Sequence, residues 1–153
     1  VLDSLTPTGQ RYIAQQRGLI HTCAAAWRSD GVHLDAPACG IDGMFVRDGR
    51  LWRVAEVKAR DLAIADLRSL GSYLVTFDKL VGGRAIGARL GVDFVLIVGL
   101  RDALVWWWIA DARGEWRAQL SVDRTTTQAN CNGGEVERAN AYISLRGMYE
   151  IEG

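Results

Sequence analysis

Three ionisable residues bracket one short hydrophobic stretch: Asp42, then Glu56 and Lys58 on either side of Val57. Two carboxylates brought to one point repel each other, more strongly when buried. A divalent cation resolves that conflict. Mg²⁺ takes one or two carboxylates plus waters and keeps positions for a phosphate oxygen. A bound ion polarises the phosphate and lowers the pKa of a water. A lysine alongside can orient that water or offset the charge building on phosphorus. These residue types therefore suit metal-assisted hydrolysis of a phosphodiester.

The elements that must position them are a β-hairpin and its neighbours. Residues 41–46 and 51–58 are rich in β-branched, aromatic and aliphatic side chains, and Asp48-Gly49 centres a turn between them. Glu56 and Lys58 are two apart, so on a strand they share a face. Charges at such positions are rare unless paired or ligand-bound. Register decides whether Asp42 joins them. A two-residue loop at Asp48-Gly49 sets Asp42 opposite Ala55, pointing away from Glu56. A three-residue loop, Arg47-Asp48-Gly49, sets it opposite Val54, on the side of Glu56 and Lys58. A single site requires that odd-length loop or an equivalent bulge.

The pattern resembles the PD-(D/E)XK nuclease superfamily, with Asp42 as the first acid and Glu56-Val57-Lys58 as the Glu-x-Lys half. Pro37 lies five residues before Asp42 and is not adjacent to it, unlike the proline of the motif name. The resemblance covers residues 8–111 in element order. It implies a restriction-endonuclease-like α/β fold, with a central mixed β-sheet flanked by helices, as one domain over residues 1–153. It implies Asp42, Glu56 and the Val57 carbonyl as metal ligands and Lys58 as the catalytic lysine. Mg²⁺ is the implied cofactor, with Mn²⁺ as a substitute. DNA is the implied partner, and a homodimer would let so short a chain cut both strands. Many members carry an acid on the first helix. Here that segment has Gln10, Gln15 and Gln16 and no acid, which removes support for a second metal position.

Composition bounds the rest. A chain of 153 residues with 49% apolar and 24% charged residues fits one globular domain with a full core. Eighteen basic and eighteen acidic residues cancel, which argues against strong non-specific DNA affinity but leaves room for a local basic stripe. Three widely spaced cysteines, Cys23, Cys39 and Cys131, fit a reducing cytoplasm better than a disulfide framework. No secretory pattern opens the sequence. No apolar run reaches the roughly 18 residues of a membrane span.

The pattern predicts a first helix over residues 8–17, started near Thr6-Pro7-Thr8 and stopped at Gly18. A strand is expected over residues 19–27 and a polar loop over 28–40. After the hairpin, a long helix is expected from Leu62, with Leu67, Leu70, Leu74, Phe77 and Leu80 or Val81 as its stripe. Gly82-Gly83 should interrupt it before a second helical piece ending at Gly91. Residues 93–98 read as a strand buried on both faces and parallel to the Glu56 strand. Further extended segments are expected at 104–110, 115–120 and 142–151, with a long polar loop over 123–137.

Arg68, Tyr73 and Lys79, placed on the helix after Lys58, are candidate nucleic-acid contacts; a solvated helix face is the ordinary fate of each. Trp106-Trp107-Trp108 could stack bases. Alternation puts Trp107 on the opposite face from its neighbours, so packing is favoured. His21 and Cys23 would share a face on a strand, but with His33 and Cys39 they have no usual zinc spacing. Asp30 and Asp35 precede Asp42, and either could approach a metal there; turn chemistry is the usual fate of loop aspartates. Three functions fit: a Mg²⁺-dependent nuclease cutting DNA phosphodiester bonds, a catalytically inactive nucleic-acid-binding or assembly module of the same fold, and an unrelated α/β interaction protein.

Overall fold

The computed structural model describes residues 6–34, 40–130 and 133–152. Asp35, Pro37, Cys39 and Cys131 lie outside these residues. Helix α1 spans Pro7–Ala26. The Thr6 hydroxyl accepts from Gly9 N at 3.0 Å and Pro7 opens the first turn. The expected stop at Gly18 and the expected strand over 19–27 are both corrected. Gln16, Ile20, Cys23 and Ala24 are buried, a helical repeat that fixes one face on the sheet. Three alanines favour helix, and that interior outweighs the cost of one glycine.

Strands β1 (Asp30–His33), β2 (Gly43–Arg47) and β3 (Arg50–Ala59) follow. β1 lies inside the segment expected to be a polar loop, and its backbone pairs with β2. Helix α2 (Ile64–Leu70) ends at Gly71, whose φ of 80° is left-handed. β4 (Ser72–Thr76) then replaces the middle of the expected long helix. Tyr73 and Val75 are buried and Leu74 is exposed, the alternation of a strand and not the stripe of a helix. Helix α3 (Phe77–Leu90) runs unbroken through Gly82-Gly83. A Cβ at Gly83 would meet the Phe94 ring at 2.2 Å, so the glycine permits close packing where a break was expected.

β5 (Asp93–Gly99) and β6 (Leu104–Ala110) form as the sequence predicts. Residues 115–120 make only an isolated bridge between Trp116 and Ala110 before β7 (Leu120–Asn130) begins. β7 pairs with β8 (Gly133–Ser144) across the segment expected to be a loop. Its threonines are good strand formers, and a ribbon wet on both sides carries no hydrophobic alternation to betray it. The expected strand over 142–151 is split by a 3₁₀ turn at Leu145–Gly147, leaving β9 (Met148–Ile151).

The strands form two sheets, ordered β1-β2-β3-β5-β6-β9 and β4-β8-β7. β3 and β5 are parallel, joined through α2, β4 and α3, while the other neighbours are antiparallel. The larger sheet is therefore mixed and buried on both faces. Ala55, Val57, Val95 and Ile97 pack under α1 with Ile20 and Cys23. Val54, Phe94, Leu96, Val98 and Trp107 pack on the other face with α3 and the small sheet, through Leu80, Tyr73, Val75 and Ile143. Trp107 is fully buried and its indole N–H donates to Ser144 O at 3.1 Å, whereas Trp108 is partly exposed under Arg117. The tryptophan run is thus divided between faces by the pleat. Among the described residues, no helix is long and apolar enough to cross a membrane.

Candidate active site

The hairpin turn is the two-residue form. Asp48 and Gly49 both take positive φ, 52° and 74°, as a turn matched to strand twist demands. Arg47 faces Arg50 and Val46 faces Leu51, but Phe45 faces Arg53. Trp52 is the extra residue of a bulge on β3. Gly43 then faces Ala55, and Asp42, just before the strand, comes near enough to Glu56 to act on its charge. Its backbone N–H donates to Ala55 O at 2.8 Å, and its Oδ2 accepts from Val57 N at 2.9 Å. The bulge does the work of the odd-length loop.

Glu56 is 1% exposed, and its Oε1 lies 2.8 Å from Lys58 Nζ. That contact is a close ion pair. It leaves Oε1 without a well-aligned hydrogen bond among the described residues. Burial raises the Glu56 pKa, and the Asp42 carboxylate pushes the same way, while Lys58 and Lys79 oppose. Burial also works against the charge on Lys58. The adjacent Glu56 carboxylate outweighs it and leaves the Lys58 pKa raised. The lysine is therefore held as a cation against a carboxylate that burial disfavours.

Of the other expected residues, the structure brings two toward this group. Lys79 opens α3 and acts electrostatically on Glu56. Tyr73 comes from β4 and not from a helix. Its ring stacks on Trp107 with centroids 5.4 Å apart. Its buried hydroxyl has no hydrogen-bond partner among the described residues and lies in the field of Arg60, Lys58 and Tyr12. Arg68 is elsewhere. It is exposed on α2 and pairs at 3.4 Å with Glu150 of β9, the far edge strand of the large sheet.

Two participants were not singled out from sequence. Arg60 continues the two-residue spacing of Glu56 and Lys58, with its backbone N–H bonded to Gly99 O at 2.8 Å and Tyr12 in side-chain contact. Gln16, 4% exposed on α1, donates Nε2 to Val57 O at 3.0 Å. Its Oε1 lies 3.0 Å from His33 Nε2. Alternation past Lys58 was the available signal for Arg60. For Gln16 it was the four-residue spacing to Ile20. His21 is exposed and Cys23 buried on the same helix, so these two do not converge. Asp30 lies at the end of β1 opposite Val46, away from Asp42.

The donor set fits one hard divalent cation. Asp42 and Glu56 supply carboxylate oxygens, and Oε1 of Glu56 is a buried acceptor whose contact with Lys58 is not a well-aligned hydrogen bond. Among the described residues no three of His, Cys, Asp and Glu converge. Two carboxylates with waters suffice for Mg²⁺.

No family model matches this chain, and no curated protein sequence matches it. Among solved structures it is similar to Archaeoglobus fulgidus Hjc, a Holliday junction resolvase from an archaeal hyperthermophile. Identity is 14%, over 60% of this chain and 71% of that one, with a TM-score of 0.46. The observed architecture is the α/β one expected from the sequence: a central mixed sheet flanked by helices, with the parallel β3–β5 pair, and the Glu56-x-Lys58 strand beside Asp42.

Proposed function

We propose that this chain is a Mg²⁺-dependent nuclease that hydrolyses DNA phosphodiester bonds. The observation that carries the reading is the convergence of Asp42 with a buried Glu56–Lys58 ion pair at 2.8 Å. A cation bound there supplies Lewis-acid polarisation of a phosphate oxygen and an acidified water. Asp42 and Glu56 would hold the ion, with the Val57 carbonyl as a further donor. Lys58 Nζ orients the attacking water for in-line displacement and offsets the negative charge developing on the phosphate. Arg60 and Lys79 add positive charge beside the two carboxylates, which favours a polyanion over a neutral ester. The Tyr73 hydroxyl, buried and short of a partner, is a donor for a phosphate oxygen. One site cuts one strand at a time, so duplex cleavage by this enzyme includes a homodimer.

The test is cleavage of a panel of linear, single-stranded and branched DNAs with Mg²⁺, with Mn²⁺ and with chelator. Metal-dependent cleavage of at least one substrate, lost in Lys58→Met, is expected. A shift of DNA in a gel with no cleavage under any metal would favour the inactive binding module instead.

A further inference from the structure

We infer that the site takes a single divalent cation, and that Gln16 is a positioning residue which holds the Val57 peptide between its neighbours and gives no ligand itself. The inference rests on the metal-dependent reading above and concerns its stoichiometry.

The geometry carries it. Val57 is held at both ends of its backbone: its N–H donates to Asp42 Oδ2 at 2.9 Å, and its carbonyl accepts from Gln16 Nε2 at 3.0 Å. The residues on either side of it are Glu56 and Lys58. Fixing this peptide therefore fixes the Asp42 carboxylate and the strand that carries the ion pair. The amide can face only one way. A carbonyl oxygen accepts and cannot donate, so the NH₂ of Gln16 must point at Val57. Its Oε1 is then turned to His33 Nε2, 3.0 Å away, which must carry the proton. The one oxygen of Gln16 able to bind a metal is thus committed to a histidine. The nitrogen facing the site is a hydrogen-bond donor with no lone pair to offer. Because Gln16 is buried, exchanging these partners for water is costly. With no third carboxylate, histidine or cysteine converging among the described residues, the anionic donors serve one ion and not two.

A carboxylate at position 16 reverses the sign of this contact. Gln16→Glu sets two acceptors, the new carboxylate and the Val57 carbonyl, against each other, and a second cation relieves them. Removing the amide without adding charge loosens the peptide that presents Asp42. Loss of such an outer partner typically weakens metal binding by about 10–100-fold.

Mn²⁺ binding measured by loss of the free-ion paramagnetic resonance signal, and independently by calorimetry, tests this without reference to cleavage. Circular dichroism monitors the fold of each variant. The wild-type chain is expected to bind one ion, lost in Asp42→Asn. Q16L should also bind one, about tenfold or more weaker. Q16E should bind two. Two ions in the wild type overturn the inference while leaving the nuclease reading intact, and this arm needs no variant. No ion in the wild type overturns both. An unchanged affinity in Q16L, no ion in Q16L, or a single ion in Q16E each removes the role given to Gln16.

Discussion

Two carboxylates on this chain make opposite bargains with their surroundings. Asp111 follows β6 and closes a turn. It accepts from Arg113 N at 2.9 Å, Glu115 N at 3.0 Å and Arg117 Nη2 at 2.9 Å. The Glu115 N–H first, with those of Arg113 and Arg117, holds its pKa below the ordinary carboxylate value. Glu56 sits mid-strand, where the backbone donors serve the sheet. Lys58 is the cation in contact with it, and burial pushes its pKa up. Both carboxylates have a basic residue beside them, so the presence of an ion pair distinguishes nothing. What separates them is satisfaction. A carboxylate with donors on both oxygens locks a turn, whereas one buried with a single misaligned partner is ready to take something else.

The sharpest way to break this comparison is to remove each basic partner in turn. Lys58→Met keeps the buried stem and loses the charge. It should lower cleavage about a thousandfold, near the upper end for loss of one charge-stabilising donor. Arg117→Met should leave cleavage unchanged. Equal rates for wild type and Lys58→Met would place Glu56 in the same structural class as Asp111.

Cation-linked stability is the next contrast. With Mn²⁺ at about 100 times its Kd, wild type should gain about 2.7 kcal/mol, a rise in Tm of about 5–10 °C. Glu56→Gln should gain nothing, and Asp111→Asn should gain as much as wild type. Differential scanning calorimetry with and without the ion reads all three.

Without metal, the two groups should tilt stability against pH in opposite senses. The Glu56 pKa is raised above its ordinary 4.5, so ionising it costs folded-state stability. Wild type should therefore lose stability relative to Glu56→Gln as pH rises from about 4.5 through the raised value. The Asp111 pKa is lowered from 3.8. Its contribution is full above that value and is lost as pH falls toward the depressed one. Thermal melts of each variant across pH 2–9 give the two slopes, and slopes of one sign would erase the distinction.

Arg68 sets the smallest effect. Its pair with Glu150 is exposed on both sides and should be worth at most about 1 kcal/mol. Arg68→Ala should change neither cleavage nor DNA affinity measurably, whereas a large loss of affinity would extend the site to the far edge of the sheet.

Much of the site is legible in the sequence because strand periodicity is local. Glu56 and Lys58 two apart on a hydrophobic run need no tertiary information, and the parallel β5 is as plain in its apolar run. The meeting of Asp42 with Glu56 is legible only as a condition. Asp48-Gly49 serves either loop length, and the bulge at Trp52 depends on how Phe45 and Arg53 settle together against Trp27 on the α1 face. Gln16 is invisible beside Gln10 and Gln15 until the strand expected over residues 19–27 becomes the second half of α1. An apolar, alanine-rich run cannot choose between helix and strand by pattern alone. The same ambiguity hid β4, whose Leu74 completed a helical stripe although Tyr73 and Val75 already alternated. The β7–β8 ribbon is polar on both sides, so polarity read as loop.

The most direct test of the account is a crystal soaked in Mn²⁺ and measured at the manganese edge. One anomalous peak is expected about 2 Å from both a carboxylate oxygen of Asp42 and one of Glu56. No peak there, with Glu56 still paired to Lys58 and Asp42 turned to solvent, would contradict it.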